Sequence, residues 1–222
     1  MLDFGFYNMD CMDGMQQFPD KYFDIAIVDP PYFKDVARSN YFGKEISRTN
    51  VRRLNHHSEH WGIPDSDYFN ELFRVSKQQI IWGCNYFNYT FPSSGRLIWD
   101  KVNDSSTFSN CEIAYCSLID SVKVFRYMWN GMLQQNMKNK EKRIHPTQKP
   151  IALYSWIAEK YTQPSDIILD THVGSASSLI AYRRMNRKFV GFEIDKYYYD
   201  LAQTRFDAET AQMTLYDFIE KE

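Results

Sequence analysis

Apolar positions along the chain follow two rhythms. The run Phe23-Asp-Ile-Ala-Ile-Val28 is almost continuously apolar, as expected of a strand buried on both faces of a parallel sheet, and it stops at Asp29-Pro30-Pro31. Residues 66–76 have helical spacing, with Tyr68, Phe69, Leu72, Phe73 and Val75 apolar. Residues 79–82, 96–99 and 112–118 read as further strands. Beyond Pro150 the pattern is regular: helix 151–161, strand 166–169, helix 175–184, strand 188–192, helix 196–207. Strands alternating with helices imply βαβ units, an α/β fold and one domain over residues 1–222. Two stretches, 34–60 and 123–149, are polar, basic and irregular, and are predicted to be surface loops rather than linkers.

Composition narrows the picture. With 44% hydrophobic and 17% aromatic residues, the chain can build a large core, which argues against disorder. A formal net charge of −2 gives no general attraction to nucleic acid, so any such binding needs a local basic patch. Cys11, Cys84, Cys111 and Cys116 form no Cys-x-x-Cys pair, and no histidine stands at zinc-ligand spacing beside them. No metal site is expected. His56, His57 and His60 read as surface or DNA-contacting residues. The N-terminus is acidic and carries no secretory pattern, and no run of apolar residues is long enough to span a bilayer. A reducing cytoplasm and no membrane partner are expected.

Two segments carry candidate chemistry. In the first, an apolar strand ends in Asp170, a turn containing Gly174 and Ser175 leads into a helix, and the next strand ends in Glu193. A glycine turn allows close backbone approach to a ligand. A carboxylate about 20 residues later suits ribose hydroxyls. This pattern fits an adenosine-containing cofactor, and NAD is disfavoured because the full Gly-x-Gly-x-x-Gly is missing.

In the second, Asp29-Pro30-Pro31-Tyr32 follows a predicted strand at the edge where open α/β sheets bind ligands. The prolines restrict the backbone, so the Asp29 carboxylate and the Pro30 carbonyl become two fixed acceptors beside an aromatic ring. An amino group on a nucleobase is a poor nucleophile because its lone pair is delocalised. Two acceptors on its hydrogens favour a more tetrahedral nitrogen and stabilise the charge that develops. The ring would stack on a base that has left the duplex.

The chain resembles the amino-group DNA methyltransferases, the N6-adenine and N4-cytosine enzymes. The matching pieces are Asn8-Met-Asp10-Cys11, Ile27-Val-Asp-Pro-Pro-Tyr-Phe33, Ile81-Trp-Gly-Cys-Asn-Tyr-Phe87, Leu97-Ile-Trp-Asp-Lys101 and Cys111-Glu-Ile-Ala-Tyr115. Further along come His145-Pro-Thr-Gln-Lys-Pro150, residues 170–178, and Val190-Gly-Phe-Glu-Ile-Asp195. The catalytic tetrapeptide precedes the cofactor turn, which resembles the permuted β class. The resemblance implies a Rossmann-like class I methyltransferase fold with a seven-stranded, mostly parallel sheet and helices on both faces.

It also implies S-adenosylmethionine as methyl donor and double-stranded DNA with a short target site as substrate. Asp29, Pro30, Pro31 and Tyr32 would be catalytic. Asp10, with Cys11 beside it, would meet the adenine of the cofactor. Asp170, Gly174 and Ser175 would line its methionine end, and Glu193 would take the ribose. The segment with Thr147, Gln148 and Lys149 would close over the methionine carboxylate. Aspartate at the first position of the tetrapeptide points to N6 of adenine. N4 of cytosine, RNA as substrate and a non-catalytic nucleic-acid-binding relative are the alternatives, and a homodimer is compatible with the subgroup. The sequence departs from the family at Asp170-Thr-His172, where Asp-Pro-Phe is common, and at Ala176, where a second glycine is usual. The Ala176 methyl is expected to crowd the cofactor or to demand a different turn.

The basic segments supply the expected DNA-facing loops, about 34–60 and 123–144. Lys34, Arg38, Arg52, Arg53, Lys138 and Arg143 are the candidate contacts. The second segment, rich in Asn and Gln, is the better candidate for target recognition.

Overall fold

A computed structural model describes residues 1–32, 62–104, 109–130 and 133–219, with side chains through 211. Ten strands and five helices occur in these segments: β1 Gly5–Asn8, α1 Cys11–Met15, β2 Phe23–Val28, α2 Ser66–Val75, β3 Ser76–Trp82, β4 Arg96–Asp100, β5 Cys111–Cys116 and β6 Val122–Arg126. They continue with β7 Trp129–Asn130, β8 Leu133–Gln134, α3 Ile151–Tyr161, β9 Ile167–Asp170, α4 Ser177–Arg184, β10 Lys188–Glu193 and α5 Lys196–Ile219.

Eight strands form one sheet in the order β1-β10-β9-β2-β3-β5-β4-β6. All neighbours pair in parallel except β5, which is antiparallel to both β3 and β4. The mostly parallel α/β sheet read from the sequence is present, with eight strands where seven were expected. The addition is β6, in a stretch predicted to be a loop. Its residues pair with β4 from Arg96↔Val122 to Asp100↔Arg126. Backbone pairing with a neighbour far back in the chain builds this strand, although Val122 and Val124 stay exposed and the local sequence is basic. The short pair β7–β8 also lies within the predicted loop.

Alternation along β2 sends Ile25 and Ile27 to one face and Ala26 and Val28 to the other. The first face packs against α3 and α4 through Leu153, Ile157, Leu179 and Ile180. The second packs against α1 and α2 through Met15, Phe69 and Leu72. Both faces of the central strands are therefore buried, which accounts for the unbroken apolar run. At the amino end of β2, Asp24 accepts from Lys77 Nζ at 2.7 Å and from the Ile167 N–H at 2.9 Å, tying three strands together.

Candidate active site

Strand order reverses between β9 and β2. One chain path moves outward from β9 to β10, and the other from β2 to β3. Parallel strands put their carboxyl ends on one edge, and a crevice forms there at such a reversal. Asp29, Gly83, Asp170 and Glu193 stand at or just beyond those ends. Because β5 runs the other way, its second residue, Glu112, reaches the same edge from its start.

A cleft with about 710 Å³ of free space, partly open to solvent, lies along this edge. Its walls include Asp29 to Tyr32 on one side and Gly174, Ser175, Ser177 and Glu193 on the other, with His145, Thr147, Gln148 and Lys149 between them. The two halves read separately from the sequence thus face one space.

On the Asp29 side, the Lys149 ammonium contacts Asp29 Oδ2 and lies 2.9 Å from Glu112 Oε2. Glu112 Oε1 takes Lys101 Nζ at 2.6 Å, and the Tyr32 hydroxyl donates to Glu112 Oε2 at 3.4 Å. Asp29 Oδ1 is buried and has no hydrogen-bond partner among the described residues. Burial works against the Lys149 charge, but Asp29 and Glu112 outweigh it and hold its pKa above the ordinary lysine value. Burial likewise opposes the Glu112 charge, yet Lys149 and Lys101 bring its pKa down to about 2. Asp29 is the weaker acid: burial raises its pKa, and the nearby Glu112 charge adds to this while Lys149 offsets part. Tyr32 stacks on Tyr86 with ring centroids 4.8 Å apart and planes 4° from parallel.

On the Glu193 side, the carboxylate accepts the Gly174 N–H at 2.9 Å and the Asp195 N–H at 2.9 Å. Gly174 has φ of +57°, the left-handed region that favours glycine. Asp170, expected along the cleft, lies beneath the turn. Its oxygens accept the His172 N–H at 3.0 Å and the Ser178 hydroxyl at 2.5 Å, so it organises the turn from below. Ala176 also adopts φ of +61°, but its methyl is buried in the apolar core with α4 and does not line the cleft. The Ala176 methyl therefore does not crowd the cleft itself. Burial pushes the Glu193 and Asp170 pKa values up to about 7 each.

The segment between the halves is braced. Gln148 Oε1 accepts the Ile144 N–H at 2.9 Å, its amide donates to Lys142 O at 3.2 Å, and its carbonyl takes Trp129 Nε1 at 3.0 Å. Thr147 Oγ1 lies 3.1 Å from His145 Nδ1. His145 packs edge-on against Tyr198, and burial lowers its pKa to about 3, so the ring is neutral. Lys149, expected beside the cofactor, instead places its ammonium between Asp29 and Glu112.

Asp10 caps α1 through the Met12 N–H at 2.7 Å, and neither it nor Cys11 lines the cleft. They stand beside it, two and three residues past Asn8, the partner of Glu193 in the sheet. Lys138 is exposed. Arg143 turns inward and donates to Pro146 O at 2.7 Å. Lys34, Arg38, Arg52 and Arg53 lie outside the described residues, as do His56, His57 and His60.

Sequence reasoning assigned no role to Glu112, Lys101, His172 or Tyr154. Glu112 had a usable signal, as the one charged residue in the strand Cys111-Glu-Ile-Ala-Tyr-Cys116. His172 and Tyr154 carried none, since their place in the cleft depends on how the turn and α3 pack.

The model of the DNA methylase family matches residues 98–204, which include the Glu193 side of the cleft but not Asp29 to Tyr32. The type II methyltransferase M2.DpnII of Streptococcus pneumoniae is 30% identical over 126 residues, which is 57% of this chain and 46% of that protein. The matched part thus spans less than half the length of that relative. The M1.HpyAVI–SAM complex has a TM-score of 0.56 at 22% identity, covering 90% of this chain and 98% of that one. PvuII DNA methyltransferase, described as cytosine-N4-specific, has a TM-score of 0.57 at 14% identity, covering 93% and 87%. At these identities the two structures establish a shared fold.

Proposed function

We propose that this chain, a relative of the amino-group DNA methyltransferases, transfers a methyl group from S-adenosylmethionine to the exocyclic N6 of adenine in DNA. The observation that carries the reading is the buried, unpartnered Asp29 Oδ1, set beside Tyr32 in the cleft that Glu193 lines further along. An acceptor left bare in a buried wall costs about 1–3 kcal/mol unless a ligand supplies the donor. A base amino group is such a donor.

The opposite wall fits the proposed cofactor. Glu193 has both oxygens fixed by backbone N–H groups and keeps lone pairs for a ribose diol. Gly174 and Ser175 bring the backbone close to the cleft, and the neutral rings of His145 and His172 line it without adding charge. S-adenosylmethionine, when bound, supplies an electrophilic methyl group on a sulfonium. The chain's own part is orientation and electrostatics. Asp29 Oδ1 accepts one amino hydrogen, the Pro30 carbonyl is the candidate for the other, and Tyr32 holds the base flat. The ring of Tyr86 occupies one face of Tyr32, so a base stacks there only after Tyr86 swings away, or else uses the opposite face.

Incubation with methyl-labelled donor and DNA, followed by identification of the modified nucleoside, tests the reading. Labelled N6-methyladenine is the expected product. N4-methylcytosine would overturn the base assignment, and absence of transfer to DNA or RNA would overturn the activity. Asp29→Ala is expected to lower turnover by about 10³-fold or more in the folded protein, with donor binding retained, and to lower its stability because Lys149 keeps only Glu112 as an ion-pair partner among the described residues.

A further inference from the structure

The acidic and basic groups around Asp29 form a closed set drawn from distant parts of the chain. Lys149 precedes α3, Lys101 follows β4, and Glu112 lies on β5. Glu112 touches three of the other members and reaches Asp29 through Lys149: one oxygen takes Lys101, and the other is shared by Lys149 and the Tyr32 hydroxyl. Lys149 then holds Asp29 by Oδ2 only. Lys149, Glu112 and Lys101 are the charges that act on Asp29, and the Asp29 charge in turn acts on Tyr68 on α2, Tyr154 on α3 and Asp170 on β9. Two cations and two carboxylates balance within the cluster. An unbalanced buried charge would be strongly destabilising. A salt bridge between Asp29 and Lys149 alone would also be neutral and would need neither Glu112 nor Lys101. The extra pair ties Tyr32 to the same anchor.

We propose that Glu112 is a positioning residue for methyl transfer. Through Lys149 it locks one oxygen of Asp29, and through the Tyr32 hydroxyl it fixes the ring, so that Asp29 Oδ1 and the Tyr32 face are presented together to the base. This rests on reading the cleft as an amino-methyltransferase site. Glu112 acts in two opposed ways. Its geometry supports catalysis, while its negative charge makes Asp29 harder to ionise and draws on the Lys149 charge that favours ionisation. A residue that only filled space would do neither.

The test compares kcat–pH profiles of Glu112→Gln and Lys149→Met with the parent protein. Glu112→Gln is expected to lower plateau kcat about 10²-fold, the scale of a misplaced reacting group, with KM for DNA and donor affinity changed less than threefold. Its acid limb moves to lower pH, because a negative neighbour of Asp29 is gone. Lys149→Met moves the acid limb to higher pH, because the cation in contact with Asp29 is gone. If Lys149→Met does not fold, Lys101→Met at the outer end of the cluster gives the same upward direction with a smaller shift. Acid limbs that stay put or move together, or a Glu112→Gln enzyme with unchanged kcat, would overturn the proposal.

A second readout needs no turnover. The ¹³C-labelled carboxyl resonance of Asp29, assigned by its loss in Asp29→Asn, is titrated in the protein without DNA, and the same opposite shifts are expected. Opposite shifts with no transfer to any nucleic acid would sink the function reading and leave the charge coupling at Asp29 standing. Normal transfer by the parent with shifts in one direction would sink the role of Glu112 alone.

Discussion

The missing side chain at Gly83 is what leaves room for Tyr32. Gly83 has φ of +72°, and a Cβ placed on it would stand 2.4 Å from Tyr32 Cδ1. No contact that short survives, so the ring would have to move. Gly83→Ala is accordingly expected to cost about 1–2 kcal/mol in stability from the positive φ, and to lower kcat by about 10²-fold by displacing Tyr32. Donor affinity should hold within twofold, since Gly83 is not part of the cleft wall. Full turnover in the alanine variant would mean that the position of Tyr32 does not matter. Ala176 is the contrasting case. It shares the left-handed backbone, but its methyl points into the core, where burial offsets part of the conformational cost.

At the scale of elements, one side chain of α5 joins the two halves of the cofactor wall. Arg205 Nη1 donates to Ser175 O at 2.7 Å and to Ser177 Oγ at 2.9 Å, and Nη2 donates to Glu141 Oε2 at 2.7 Å. The other oxygen of Glu141 accepts the Ile151 N–H at the start of α3, at 3.0 Å. Turn, helix start and the segment before His145 are held by one ion pair. Arg205→Met should destabilise the protein by about 3 kcal/mol, because it strands a largely buried carboxylate. It should also weaken donor binding about tenfold, with kcat at saturating donor nearly unchanged. Isothermal titration would show both affinity and stoichiometry, and unaltered affinity would remove Arg205 from this role.

The strands β2, β3, β5, β9 and β10 were legible because continuous apolar runs come from burial on both faces, and β4 because buried Leu97 and Trp99 alternate with half-buried neighbours; each segment carries these properties locally. The helices α2 and α3 were legible from their spacing. By contrast, β1 and α1 have only four and five residues, too few for a period to show. The strand β6 depends on pairing with β4, and no periodicity reports that. In the site, the Asp29 tetrapeptide and Glu193 stood out by position after strands. The place of Lys149 between two carboxylates follows from a contact 120 residues apart, which no local pattern encodes.

For the whole molecule, pH acts through its buried carboxylates. Burial raises Glu193 and Asp170 to about 7, so in the ligand-free protein both hold protons that the unfolded chain releases near pH 4. Their contribution to stability is therefore greatest at low pH and is lost as pH rises through 7. Donor binding should run the other way, because ribose hydroxyls donate best to ionised Glu193. Affinity is expected to rise between pH 6 and 8, by up to about tenfold per unit below 7. A flat profile would remove the Glu193 carboxylate from the ribose. His145 and His172, lowered to about 3 and about 4 by burial, stay neutral across this range and cannot produce the effect.

The neighbour relation between β2 and β9 also sets a clock. The hydrogen bond from the Ile167 N–H to Asp24 closes a loop of 143 residues. During synthesis at about 5–20 residues per second, β2 has left the ribosome roughly 7 to 30 seconds before its partner strand exists. Through that interval one edge of the most apolar strand in the sheet stands uncovered. Nascent chains of this protein should therefore draw more on holding chaperones than chains of equal size whose central strands are consecutive in sequence.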